Sequence, residues 1–125
     1  MIAIDTNVLL RYLLQDDRMQ SRQASRIIKR SGKALLVDIV LVETLWVLKG
    51  RRYGFDREAL AKTIYGLMKD SRFVFEDHQA VGKAYRDFSN SKADFADCLI
   101  KNKAEGLWPG IDVVTFDRAA ARTGK

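Results

Sequence analysis

The stretch Met1-Ile2-Ala3-Ile4-Asp5-Thr6-Asn7-Val8-Leu9-Leu10-Arg11-Tyr12-Leu13-Leu14 contains the change of periodicity that decides the fold. Its first four residues are apolar and stop at an acid, as a short strand does. Val8, Leu9, Tyr12 and Leu13 then recur at i, i+1, i+4 and i+5, the spacing of an amphipathic helix. A strand that passes into a helix through an aspartate is the opening half of a βαβ unit.

The alternation continues along the chain. Asp16 or Asp17 can cap a second helix with Met19, Ala24, Ile27 and Ile28 turned inward, closing at Gly32. Ala34 to Val37 reads as a strand, and Asp38 stands where an N-cap belongs. The helix that follows, Ile39 to Leu48, is almost wholly apolar and ends at Lys49-Gly50. Asp56 caps a helix carrying Leu60, Ile64, Leu67 and Met68, and Arg72 to Phe75 is a third strand. Ala80, Val81, Ala84, Tyr85 and Phe88 mark the next helix, and Asp94 opens another that runs to about Glu105. A Trp108-Pro109-Gly110 turn leads into the β-branched run Ile111 to Phe116, a fourth strand, and Asp117 starts a last short helix. Strands separated by helices predict an α/β fold with a central, mostly parallel sheet flanked by helices. With 125 residues and no repeat or linker, one domain over 1–125 is expected.

Composition removes several classes of function. The longest stretch without Asp, Glu, Lys or Arg is six residues, at 63–68 and at 106–111, far short of a membrane span. The N-terminus has neither a basic segment nor a long apolar one, so no secretory signal is expected. A single cysteine forms no internal disulfide, which places the expected home in the reducing cytoplasm. One His and one Cys do not make a closed zinc site, and Cys98 beside Asp97 reads as a small buried thiol rather than a nucleophile. No glycine pattern matches a dinucleotide or P-loop fingerprint. Lys and Arg number 22 against 16 Asp and Glu, a net charge of +6, which favours a polyanionic partner.

The acids fall in a pattern. Asp5 and Asp117 each follow a predicted strand, on the edge where open parallel sheets bind ligands, although an Asp there also serves as an N-cap. Glu43 has Ile39, Val40, Trp46 and Val47 as helical neighbours, so no intrahelical cation reaches it. It is either a ligand to a cation or a carboxylate at the wet edge of its helix. Asp94 and Asp97 share one face of a helical first turn, where cap plus dipole is the plain alternative. Together, carboxylates at 5, 43, 94 or 97, and 117 would meet on one sheet edge and repel one another unless divalent cations bind. An oxygen-only donor set favours Mg²⁺ or Mn²⁺ over zinc. Ions held in this way can activate water and brace a scissile phosphate.

In Asp5-Thr6-Asn7-Val8-Leu9, Val42-Glu43-Thr44-Leu45-Trp46-Val47-Leu48, Asp94-Phe95-Ala96-Asp97-Cys98-Leu99-Ile100 and Thr115-Phe116-Asp117-Arg118 the chain resembles PIN-domain ribonucleases. It is most similar to the VapC toxins of toxin-antitoxin pairs, and the motifs keep their order over about residues 1 to 122. The resemblance implies a Mg²⁺- or Mn²⁺-dependent endoribonuclease with a four- to five-stranded, mostly parallel sheet. The fifth strand would lie past the last helix, where this chain reads Thr123-Gly124-Lys125. The family's four acids map onto Asp5, Glu43, Asp97 and Asp117, because Asp97 precedes a small residue and an aliphatic pair. Asp94 is then a cap or an auxiliary ligand. Metal ligation is assigned to Asp5 and Asp97, with Glu43 and Asp117 completing the site. Asn7 and Thr115 match the family's auxiliary positions and would fix carboxylates by hydrogen bonds.

Basic residues complete the sequence reading. Arg18, Arg22, Arg26 and Arg30 recur every four residues on one predicted helix, either as a solvated face or as phosphate contacts. Lys49, Arg51 and Arg52 form a second patch after the helix of Glu43, and both patches are candidate RNA-backbone sites. The apolar excess of 8–14 and 39–48 is core first; the remainder suits a homodimer seam or, as the resemblance implies, the groove of an antitoxin, with Trp46 and Tyr12 as anchors. Two other readings compete: a receiver-like signalling module and a silent PIN-like domain that binds RNA or protein. A receiver needs a phospho-accepting Asp after a middle strand and a Lys after the last one. Here Glu43 lies within a helix and no Lys follows 113–116.

Overall fold

The computed structural model describes residues 1–117. The described residues form two compact units, one from Met1 to Glu76 and one that begins at Asp77. The first unit contains β1 (Ile2–Ala3), α1 (Thr6–Leu14), α2 (Arg18–Ser31), β2 (Ala34–Leu36), α3 (Asp38–Lys49), α4 (Arg57–Lys69) and β3 (Phe73–Phe75). Its strands lie parallel in the order β1-β2-β3, with Ile2 beside Ala34 and Ala34 beside Phe73. Parallel neighbours need a crossover, and a pair of helices supplies each one.

Local chemistry explains the element ends. Asp5, Asp17 and Asp56 each accept a hydrogen bond from the backbone N–H three residues on, at 2.8–2.9 Å, so each cap satisfies an otherwise orphaned amide. Gly32 closes α2 with φ of 77°, a conformation a side chain disfavours. Asp38, in contrast, is the first residue of α3 rather than its cap. The N-cap is Val37, which has no capping side chain, and the Asp38 N–H instead donates to Glu76 Oε1 at 3.0 Å. A carboxylate at the end of β3 thus does the capping from a distant part of the chain.

The core of this unit is built from Ile4, Leu9, Leu10, Ile28, Leu36, Leu41, Leu48, Ile64 and Leu67, all buried. Burying each such side chain contributes about 1.5–3 kcal/mol. On α2 the buried stripe is Ser21, Ala24 and Ile28, while Met19 and Ile27, expected to face inward, are exposed. The i, i+3, i+7 stripe of that helix is narrow, and both residues fall outside it. Tyr12 packs edge-to-face on Phe73 at 5.5 Å and its hydroxyl accepts from Arg72 Nη2 at 2.7 Å, which commits it to the unit's own packing.

The second unit contains α5 (His78–Ser89) and α6 (Phe95–Leu107). The two helices pack together through buried Val81, Ala84, Phe88, Phe95, Cys98 and Leu99, with the Phe88 and Phe95 rings edge-to-face at 6.0 Å. Asn102 Nδ2 donates both to Asp87 Oδ2 and to the Cys98 carbonyl, so a side-chain amide ties the helices at 2.8–2.9 Å. Cys98 is fully buried and forms no disulfide among the described residues, in keeping with a small buried thiol.

Among the described residues the sheet has three strands, not four or five. The run 111–116 forms no strand, and Val114 and Phe116 are exposed. The Gly110 N–H donates to the Glu105 carboxylate and the Ile111 N–H to the Trp108 carbonyl, closing the predicted turn but starting no ladder. β-branched sequence favours a strand only where cross-strand neighbours pack against it. The helix expected after Asp117 and the fifth strand lie outside the described residues. No helix among these residues is long and apolar enough to cross a membrane.

Candidate active site

In the first unit, α1 and α3 both start at the carboxyl edge of the sheet, one after β1 and the other after β2. Asp5 sits at the β1–α1 junction, where its Oδ1 accepts from the Val8 N–H at 2.9 Å. The capping reading of Asp5 is therefore realised. Its second oxygen has no hydrogen-bond partner among the described residues.

Glu43 lies in the second turn of α3. Its Oε1 accepts from the Thr6 hydroxyl at 3.0 Å, which sets the Glu43 carboxylate against the residue next to Asp5. Its other oxygen is likewise without a partner among the described residues. Glu43 is exposed, so it is not a buried charge demanding a cation; water solvates it at the helix edge. Each of these two carboxylates is held by a single hydrogen bond and has one oxygen unspent, and carboxylate oxygens are the donors that hard divalent cations prefer.

Sequence reasoning missed Thr6. The motifs give the carboxylate-fixing role to Asn7 and Thr115, but the Asn7 side chain is exposed and makes no hydrogen bond among the described residues. Thr115 Oγ1 accepts from the backbone N–H of Asp117 at 3.0 Å rather than donating to a carboxylate. No spacing rule reveals Thr6, because its partner lies 37 residues away. Glu76 was missed for the same reason.

The remaining predicted acids belong to the second unit. Asp94 occupies the N-cap position of α6 but makes no side-chain capping bond, and Asp97 lies in the first turn. Both are partly buried, and Asp117 is exposed. Among the described residues, no three His, Cys, Asp or Glu side chains stand together as a metal-holding group.

The basic residues of the two patches are exposed. Arg18, Arg22 and Arg26 lie along the exposed face of α2. Lys49 is six residues beyond Glu43, about 9 Å further along the axis of α3. Arg51 and Arg52 follow in a turn at the far end of that helix, with the Arg52 guanidinium 5.2 Å from the centre of the Tyr53 ring. That patch is thus carried away from the carboxyl edge by the direction of α3.

Nothing among curated proteins or solved structures matches the chain. The PIN domain family profile does match, over residues 2–125. The ordered acidic motifs, the parallel αβ arrangement and a match of that length agree: the chain belongs to the PIN-domain family, whose members are generally metal-dependent nucleases.

Proposed function

We propose that this protein is an endoribonuclease of the VapC toxin type, dependent on Mg²⁺ or Mn²⁺. The hydrogen bond from Thr6 to Glu43 carries the reading, because it holds one motif's acid against the residue next to Asp5, the acid of another motif, at one sheet edge. Asp5 and Asp97 are the proposed ligands, with Glu43 and Asp117 completing the site and Asn7, Asp94 and Thr115 auxiliary. A bound divalent cation supplies positive charge at the scissile phosphate and lowers the pKa of water. The protein's own part is orientation. The Val8 N–H holds Asp5 in one rotamer and the Thr6 hydroxyl does the same for Glu43, leaving one oxygen of each for ligation. Hydrolysis adds water across a P–O3′ bond and leaves a 5′-phosphate on one product and a 3′-hydroxyl on the other.

The toxin reading brings a small antitoxin protein, a homodimer and a cytoplasmic setting. Ile39, Trp46 and Val47, exposed on α3 on either side of Glu43, support a protein partner at this face. The test is cleavage of structured cellular RNAs by purified protein with Mg²⁺, Mn²⁺ or chelator, beside Asp5→Asn. Cleavage that needs metal and disappears in the variant is expected. Asn caps a helix as well as Asp does, so the variant should stay folded. Equal cleavage by both proteins overturns the assignment.

A further inference from the structure

The first half of helix α2 is built against its own electrostatic interest, whereas Lys29 and Arg30 in its last turn suit the dipole. Arg18 and Arg22 stand in its first turns, at the positive end of the helix dipole, and that first turn holds no acid. Arg18 and Arg22, Arg22 and Arg26, and Arg26 and Arg30 each stand four apart, a spacing at which like charges destabilise a helix. Lys29 falls on the same face. These side chains are exposed, opposite the buried Ser21, Ala24 and Ile28, and none makes a hydrogen bond or ion pair among the described residues. From residue 18 to residue 37 the chain has no acid at all. Two acids precede α2: Asp17 caps it, with its Oδ1 taken up by the Gln20 N–H, and Asp16 is paired with Arg11 at 2.8 Å. A solvated face needs charge, but it does not need charge of one sign in a continuous stripe that winds slowly around the helix.

We propose that α2 is a track for the phosphate backbone of helical RNA, a substrate-class inference that rests on the nuclease reading above. Arg18 to Arg30 covers about 18 Å of helix axis, long enough to follow several consecutive phosphates. The form of the RNA follows from what the track lacks. Proteins that bind unstructured single strands combine a basic groove with aromatic rings on which bases stack. Residues 18 to 37 contain no aromatic ring, and the basic row lies on a convex helix face. Such a face contacts phosphates that point outward, as they do on a base-paired stem, and it carries no base readout. The track therefore selects folded RNA by shape and charge, and the choice of cleavage position rests elsewhere.

The test is fluorescence anisotropy in chelator, so that no cleavage occurs, with an RNA hairpin stem and an unstructured single strand of equal length. Wild type is compared with R22Q/R26Q and with K62Q, the latter removing a lysine on α4 that pairs with Glu58. The double variant should lose about tenfold or more in hairpin affinity, and its log K against log salt slope should fall by about 2, one for each phosphate contact removed. K62Q should bind as wild type does. The double variant should also melt no lower than wild type, because repulsion is relieved, whereas a stabilising role for these arginines would lower the melting point. Unchanged hairpin affinity and slope overturn the proposal and leave the row to an acidic protein surface. A single strand bound more tightly than the stem through Arg22 and Arg26 overturns it as well. Asp5→Asn separates the two readings: cleavage lost with hairpin binding intact supports both, while binding that persists beside metal-independent cleavage removes only the nuclease assignment.

Discussion

Replacing Thr6 with valine removes one hydroxyl at nearly constant volume and cuts the hydrogen bond to Glu43 Oε1, 3.0 Å long. A hydrogen bond to a charged group contributes about 1.5–3 kcal/mol when sheltered. Glu43 is exposed, so water re-solvates the carboxylate and the net loss of fold stability should be only about 0.5–1 kcal/mol. For a domain of this size that lowers the melting temperature by roughly 2–6 °C. The effect on activity should be larger, because removing a group that orients a ligating residue typically costs about 10–100-fold in metal affinity or rate. Titrating Mg²⁺ against RNA cleavage should therefore show half-maximal activity shifted at least about tenfold upward in Thr6→Val. Thr6→Ser should restore most of the loss. Unaltered metal dependence in Thr6→Val, or Thr6→Ser no better than valine, would show that the Thr6 contact does not position Glu43 for metal.

Two further substitutions probe the frame around the site. Glu76→Ala leaves the Asp38 N–H without its acceptor and should cost about 0.5–2 kcal/mol in urea unfolding, as loss of an N-cap does, while Glu76→Gln recovers most of it. Equal stability of Glu76→Ala and wild type would refute the capping role. Asp70 is held below its usual 3.8, chiefly by the side-chain hydrogen bonds from Arg72, against desolvation that acts the other way. Because its folded pKa is depressed, its contribution is fully present above the unfolded value and is lost as pH falls through the folded one. Asp70→Asn should thus cost about 0.5–1 kcal/mol near neutral pH, since the Arg72 side chain is 44% exposed and solvent screens the pair, and should flatten the stability profile below about pH 4. Parallel acid-unfolding profiles for the two proteins would contradict this.

How much was legible in the sequence follows from the reach of each interaction. The helix starts at Asp17 and Asp56 and the stop at Gly32 could be read directly, because each depends on backbone groups within a turn of the residue. The order of strands and helices through Phe75 was equally legible from apolar periodicity. The identity of the acids came from motif order, a one-dimensional signal that the family match over 2–125 supports.

Other features were decided only in three dimensions. Thr6 meets Glu43 and Glu76 caps Asp38 across 37 and 38 residues, contacts that depend on parallel strands bringing the starts of α1 and α3 and the end of β3 to the same edge. Strand status at 111–116 likewise depended on pairing: its residues have the right β-branched chemistry, but propensity without a neighbouring strand leaves backbone donors and acceptors to water. Met19 and Ile27 show the same limit on a helix, where hydrophobicity suggested burial and the narrow contact stripe of α2 did not reach them. The sequence determined which groups carry charge, which segments coil and where they stop, since those are local free energies. Tertiary structure decided which carboxylate is held by which hydroxyl, since that depends on the path of the chain between them.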